Sequence, residues 1–134
     1  MKGELIGEVR GNMTNTTIKD ISPAGIRLEI NDRGQVTGKY NAGHMETVSV
    51  FQRPDGTNQW ETKGVQITPE GDFIVVQGWG TGKNTGPTTS QWEGELHFMT
   101  QSSRLSWLNG KKGWVEGSGD QVKGDFHGKV YEWK

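Results

Sequence analysis

The sequence predicts an all-β protein: a single closed antiparallel barrel of about eight strands run as an up-and-down meander, with a two-sheet β-sandwich as the alternative. Three observations carry this reading. Glycine occurs 21 times and alanine twice, a balance hostile to helices because glycine costs about 1 kcal/mol relative to alanine in a helix interior. Turn signals recur at short intervals along the chain. Between them, residues alternate in polarity with a period of two, as in strands with one buried face.

Taken in order, residues 1–24 are the least defined part, rich in Thr and Asn, with room for one strand at about 4–10. Strands follow at roughly 26–31 and 35–40, divided by the turn-like NDRG (Asn31 to Gly34). The next run, 44–53, contains HMETVSVF. There His44, Glu46, Val48 and Val50 share one face, and Met45, Thr47, Ser49 and Phe51 the other. Both faces carry apolar residues, so which one points inward stays open at this stage. RPDG (Arg53 to Gly56) and TPEG (Thr68 to Gly71) place Pro at the second turn position and Gly at the fourth, which frames strands at 57–67 and 72–82. A strand at 89–100 sets Trp92, Leu96 and Phe98 against Glu93, Glu95 and His97. Shorter strands at 104–108 and 112–118 flank LNGKKG. A last one at 124–133 sets Phe126, Gly128 and Val130 against His127, Lys129, Tyr131 and Trp133. Closing such a meander removes its exposed edges.

The stretch GWGTGKNTG (Gly78 to Gly86) resembles a phosphate-binding loop but fails the test. A Walker-type loop would need glycine at Gln77 and Ser or Thr at Asn84, and the dinucleotide pattern fails at Lys83 and Thr85. No helix follows whose N-terminus could hold phosphate. Gly78, Gly80 and Gly82 share one parity, so one strand face is bare and either packs against a neighbour or leaves room for a ligand.

Composition excludes several functions. The net charge of -1 gives no field for nucleic acid or anionic membrane. The chain has no cysteine, hence no disulfide, thiolate metal site or cysteine nucleophile. No run approaches the roughly 18 apolar residues of a membrane span, and a cytoplasmic location is expected. His44, His97 and His127 are far apart without metal-ligand spacing, so neither metal nor cofactor is expected.

The run from VTGKYNAGHMETVSVFQRPDG through GWGTGK, then TSQWEGELHFMTQSSRLSWLNGKKGW and GDFHGKVYEW, resembles the small barrels related to allene oxide cyclase, over about residues 25–133. The resemblance lies in strand rhythm, an aromatic hairpin, a G-x-G strand and a closing glycine-rich hairpin. It implies a barrel with an apolar cavity, often oligomeric, in a family whose namesake cyclises an unsaturated epoxide mainly by holding its shape. No catalytic residue of that enzyme maps onto this chain.

The expected function is binding of a small hydrophobic molecule, lipid-like or polyketide-like, in a tryptophan-lined cavity of a homo-oligomer. A cyclase or isomerase, or a structural protein with a filled core, are the alternatives. Candidate ligand-binding residues are Tyr40, His44, Glu46, Trp60, Trp79, Trp92, Arg104 and Trp107. Glu46 is the candidate catalytic group, because a carboxylate among apolar neighbours suits a general acid or a ligand anchor. Arg104 suits a carboxylate partner or a plain surface charge. Trp60 inside implies Glu61 outside.

Overall fold

A computed structural model describes residues 1–134. Eight antiparallel strands form one closed barrel in sequence order. They are β1 (Lys2–Ser22), β2 (Gly25–Gly38), β3 (Ala42–Gln52), β4 (Thr57–Ile67), β5 (Phe73–Asn84), β6 (Thr89–Thr100), β7 (Lys112–Asp120) and β8 (Asp125–Trp133). β8 closes the barrel by pairing with β1, from Lys2↔Trp133 to Asn12↔Asp125. The RPDG and TPEG turns are as expected, with Gly56 and Gly71 at φ of +87° and +91°, a region glycine enters without strain.

Three local expectations are corrected. Residues 1–24 are strand almost throughout: β1 is the longest strand, and its outer part continues past β8 along the start of β2, which pairs with β3 on its other side. NDRG is not a turn. Asn31, Asp32, Arg33 and Gly34 pair with Thr47, Glu46, Met45 and His44 of β3 and also with β1, so 26–31 and 35–40 are one strand. Gly34 is needed there because a Cβ would stand 2.2 Å from the Arg10 carbonyl oxygen of β1. Lastly, 104–108 is not a strand but a loop with a short 3-10 turn, Ser106–Leu108.

That loop plugs one end of the barrel. Leu105 and Leu108 are buried beneath it, each contributing about 1.5–3 kcal/mol by leaving water. Asn109 fastens the plug by imitating a strand partner. Its Oδ1 accepts from the Thr100 N–H at 2.8 Å and its Nδ2 donates to the Thr100 carbonyl at 3.0 Å. Above the plug the core rises through Ile74, Val36, Val76, Phe98 and Val115 to the aromatic pair Trp60 and Trp92.

The middle of the bare glycine face is explained by those indoles, while Gly78 and Gly82 face Leu96 and Asn58, at 2.5 and 2.8 Å from where a Cβ would stand. Gly80 of β5 pairs with Gly94 of β6, and a Cβ on either would lie 2.6 Å from Trp60 Cζ2. Gly117 does the same for Trp92, at 2.1 Å. The glycines are the room the tryptophans occupy, and the two rings meet edge to face at 6.4 Å.

Candidate functional site

The face left open in β3 is settled by its neighbours: His44, Glu46, Val48 and Val50 point inward. They help line a cavity of about 150 Å³ inside the barrel, whose walls are mostly aliphatic and aromatic. Strand alternation sends residues 44 and 46 to the same side. Antiparallel pairing then sets Asp32 of β2 directly opposite Glu46. On the other flank, β4 contributes Thr62 and Gln66, which pair with Val48 and His44. Tyr40, at the β2–β3 connection, reaches in from the plugged end.

These side chains form a directional chain of contacts. The Tyr40 hydroxyl donates to Gln66 Oε1 at 2.5 Å, and Gln66 Nε2 lies 3.0 Å from His44 Nδ1. With the amide in this sense Nδ1 accepts and the ring proton sits on Nε2; turned over, Nδ1–H donates and Nε2 offers its lone pair. The Thr62 hydroxyl donates to Glu46 Oε2 at 2.5 Å. His44 Nε2 stands 3.4 Å from Glu46 Oε1 and 3.6 Å from Asp32 Oδ1. Asp32 Oδ1 and His44 Nε2 have no hydrogen-bond partner although both are buried, and Gln52 Oε1, further along the cavity, is unpartnered too. Buried polar atoms are nearly always paired, so three orphans around one cavity are a signal.

The carboxylates are pushed apart electrostatically. Burial first, then the charge and close approach of Glu46, push the Asp32 carboxyl up to about 10. Burial also acts to raise Glu46, but the His44 ring beside it, the neighbouring Asp32 carboxyl and the hydrogen bond from Thr62 outweigh it and hold Glu46 below its ordinary value. Two carboxyl groups facing each other in a dry interior cannot both ionise cheaply, so Asp32 keeps its proton and Glu46 carries the charge. Burial raises the Tyr40 hydroxyl.

Of the sequence candidates, the structure brings Tyr40, His44, Glu46, Trp60 and Trp92 to the cavity. The other three lie elsewhere. Trp79 is on the outer face, half exposed and stacked on His97 at 5.2 Å; its parity is opposite to Gly78 and Gly80, which the alternation itself had indicated. Arg104 lies on the surface outside the plug, paired with Glu70 at 2.8 Å and with Asp72. Trp107 packs edge-on against Tyr40 from the plug at 6.4 Å and does not line the cavity. The lining is therefore less tryptophan-rich than expected, since Trp114 and Trp133 stack on each other outside.

Sequence reasoning missed Asp32, Thr62 and Gln66. Asp32 was hidden in a turn-like tetrapeptide, although Leu28, Ile30, Asp32 and Val36 share one parity. Thr62 and Gln66 share the parity of Trp60. The search for metal-ligand spacing compared the three histidines only with one another. Asp32, His44 and Glu46 present ligand atoms all within 4.8 Å of one another, a set that could hold a cation and that uses one histidine only.

No protein-family model and no curated protein sequence matches the chain. Solved structures do. The chain is similar to a protein of unknown function from Clostridium acetobutylicum, with 16% identity, 98% of each chain covered and a TM-score of 0.84. A beta-barrel-like protein from Acinetobacter baumannii matches at 18% identity, covering 98% of this chain and 94% of that one, with a TM-score of 0.78. An enzyme from Penicillium herquei matches at 19% identity over 99% and 96%, with a TM-score of 0.70. At these identities the likeness is one of fold.

Proposed function

We propose that the barrel binds a small hydrophobic molecule bearing one polar group, with its apolar body between the valines and tryptophans and its polar group at Asp32, His44 and Glu46. The observation that carries this reading is the pairing of an apolar cavity with buried polar atoms that lack partners. A structural protein with a filled core gains nothing by leaving a carboxyl and an imidazole dry and unpaired. The volume selects among lipid-like and polyketide-like molecules. A cavity of about 150 Å³ lined by apolar residues takes up a molecule the size of benzene, so a compact ring compound suits it and an extended acyl chain does not. The kinship with allene-oxide-cyclase-like barrels belongs to this proposal; the strand count and internal cavity support it.

The test is binding of phenol, cyclohexanone and decanoate, followed by thermal unfolding and by tryptophan emission, since Trp60 and Trp92 border the cavity. The ring compounds should raise the melting temperature and change the emission, and decanoate should do neither. At a hundredfold excess over Kd the expected stabilisation is about 2.7 kcal/mol. No response to any of the three, with no ligand retained in native mass spectrometry of gently purified protein, would defeat the proposal.

A catalytic version, a cofactor-independent cyclase or isomerase, is favoured by one further observation: proton-carrying groups border the space where the ligand would lie. The cavity would fold the substrate into a reactive shape, with Glu46 as the group that touches it. Glu46→Gln should then abolish turnover while ring-compound binding persists.

A further inference from the structure

Asp32, His44 and Glu46 converge in a way that hydrogen bonding leaves unfinished. Asp32 Oδ1 and His44 Nε2 are orphaned, although each side chain is only 6% exposed. The 3.4 and 3.6 Å gaps from His44 Nε2 to Glu46 Oε1 and Asp32 Oδ1 are too long for good hydrogen bonds. They suit a different partner. Nitrogen and oxygen ligands lie about 2.0–2.2 Å from a zinc-like cation, so two of them at a tetrahedral angle stand roughly 3.4 Å apart.

We propose that Asp32, His44 and Glu46 bind one divalent first-row metal cation, with a coordination position left open towards the apolar cavity. Charge supports this: two carboxyl groups opposite each other on an inward face cannot both ionise cheaply, and a dication between them lets both carry their charge. Two of the three ligands, Glu46 and His44, also have a supporting partner, as metal ligands do. Thr62 holds Glu46 Oε2 and leaves Oε1 facing His44. Gln66 holds Nδ1 of His44 and is itself held by Tyr40. Turning the Gln66 amide over keeps both partners: its oxygen accepts from Nδ1–H, its nitrogen donates to the Tyr40 oxygen once that 2.5 Å contact relaxes to about 2.9 Å, and the Nε2 lone pair is free for the metal. One imidazole and two carboxylates, with no thiolate, suit zinc, cobalt or manganese rather than Cu(I). The inference deepens the reading above, since it rests on the same orphaned atoms; metal counting and ring-compound binding in metal-free protein are separate readouts, so failure of one is told apart from failure of the other.

The experiment uses the full chain stripped with a chelator and dialysed against Zn²⁺, Mn²⁺ and Co²⁺ in turn, with bound metal counted per chain. One equivalent of at least one ion is expected, and Co²⁺ should bring the visible absorption of a nitrogen- and oxygen-ligated site. Asp32→Asn, Glu46→Gln and His44→Gln, near-isosteric changes, should each weaken binding about 100-fold, and Gln66→Leu about 10-fold. His97→Gln and His127→Gln, on the outer face, should leave it unchanged. Failure to find a saturable equivalent with any of the three ions overturns the proposal. So does an equivalent that survives the Asp32→Asn/His44→Gln double variant. Should that variant not fold, wild-type protein loaded with Co²⁺ decides: no stoichiometric visible band, no site.

Discussion

Replacing Asp32 by Asn should make the metal-free protein more stable as the pH rises, and the reason lies in one proton. An isolated aspartate loses its proton near pH 3.9, whereas burial and Glu46 push Asp32 up to about 10 in the fold. Across that window the native chain holds a proton that the unfolded chain has released. Stability therefore falls as pH rises, by about 1.4 kcal/mol per pH unit for one proton. From pH 6 to pH 8 the wild type should lose up to about 3 kcal/mol relative to Asp32→Asn, whose amide is neutral in both states. With a urea m value of about 1–3 kcal/mol/M, the difference in midpoint should open by roughly 1–3 M. The groups facing Asp32 are His44 and Glu46, backed by Thr62, Gln66 and Tyr40. Asp55, Asp72, Glu95, Asp120 and Glu132 are held below their ordinary values, chiefly by hydrogen bonds, so their contribution is lost only at more acid pH. Other titrations common to both proteins cancel in the difference. The assay is urea unfolding at pH 6, 7 and 8 with chelator present, so that no cation takes the proton's place. A midpoint difference that stays constant over this range would refute the reasoning.

Gly117→Ala should destabilise by about 1–3 kcal/mol, because the new methyl group would lie 2.1 Å from Trp92 Cη2; denaturant unfolding and a shifted tryptophan emission would report it. Leu108→Ala, which hollows the plug at a residue with 0% exposure, should cost about 2–5 kcal/mol and speed hydrogen exchange at Thr100 and Asn109. We expect copies of the chain to associate through the outward row Met45, Val65, Val75 and Met99, which lies in register across four strands. Light scattering should then show an oligomer that Val75→Lys dissociates. An unchanged mass in that variant would move the interface elsewhere.

Fold class was readable from the chain alone because its signals are local. Glycine in excess of alanine disfavours helices residue by residue, RPDG and TPEG shape their own turns, and alternation declares which side chains share a face. That is enough to pair His44 with Glu46 and to group Trp92, Leu96 and Phe98. Where local signals conflicted, tertiary pairing won: NDRG has turn chemistry, yet two flanking strands hold it extended and so deliver Asp32 to the interior. Trp79 is excluded from the cavity by parity alone, whereas barrel closure, the plug, and the exclusion of Arg104 and Trp107 depended on contacts between residues distant in sequence. The site depended on them most. Asp32, His44, Glu46, Thr62 and Gln66 come from three strands, and only cross-strand register sets Asp32 opposite Glu46 and Gln66 beside His44. Alternation gives each strand its inward face; register, a property of pairs of strands, decides which inward residues meet.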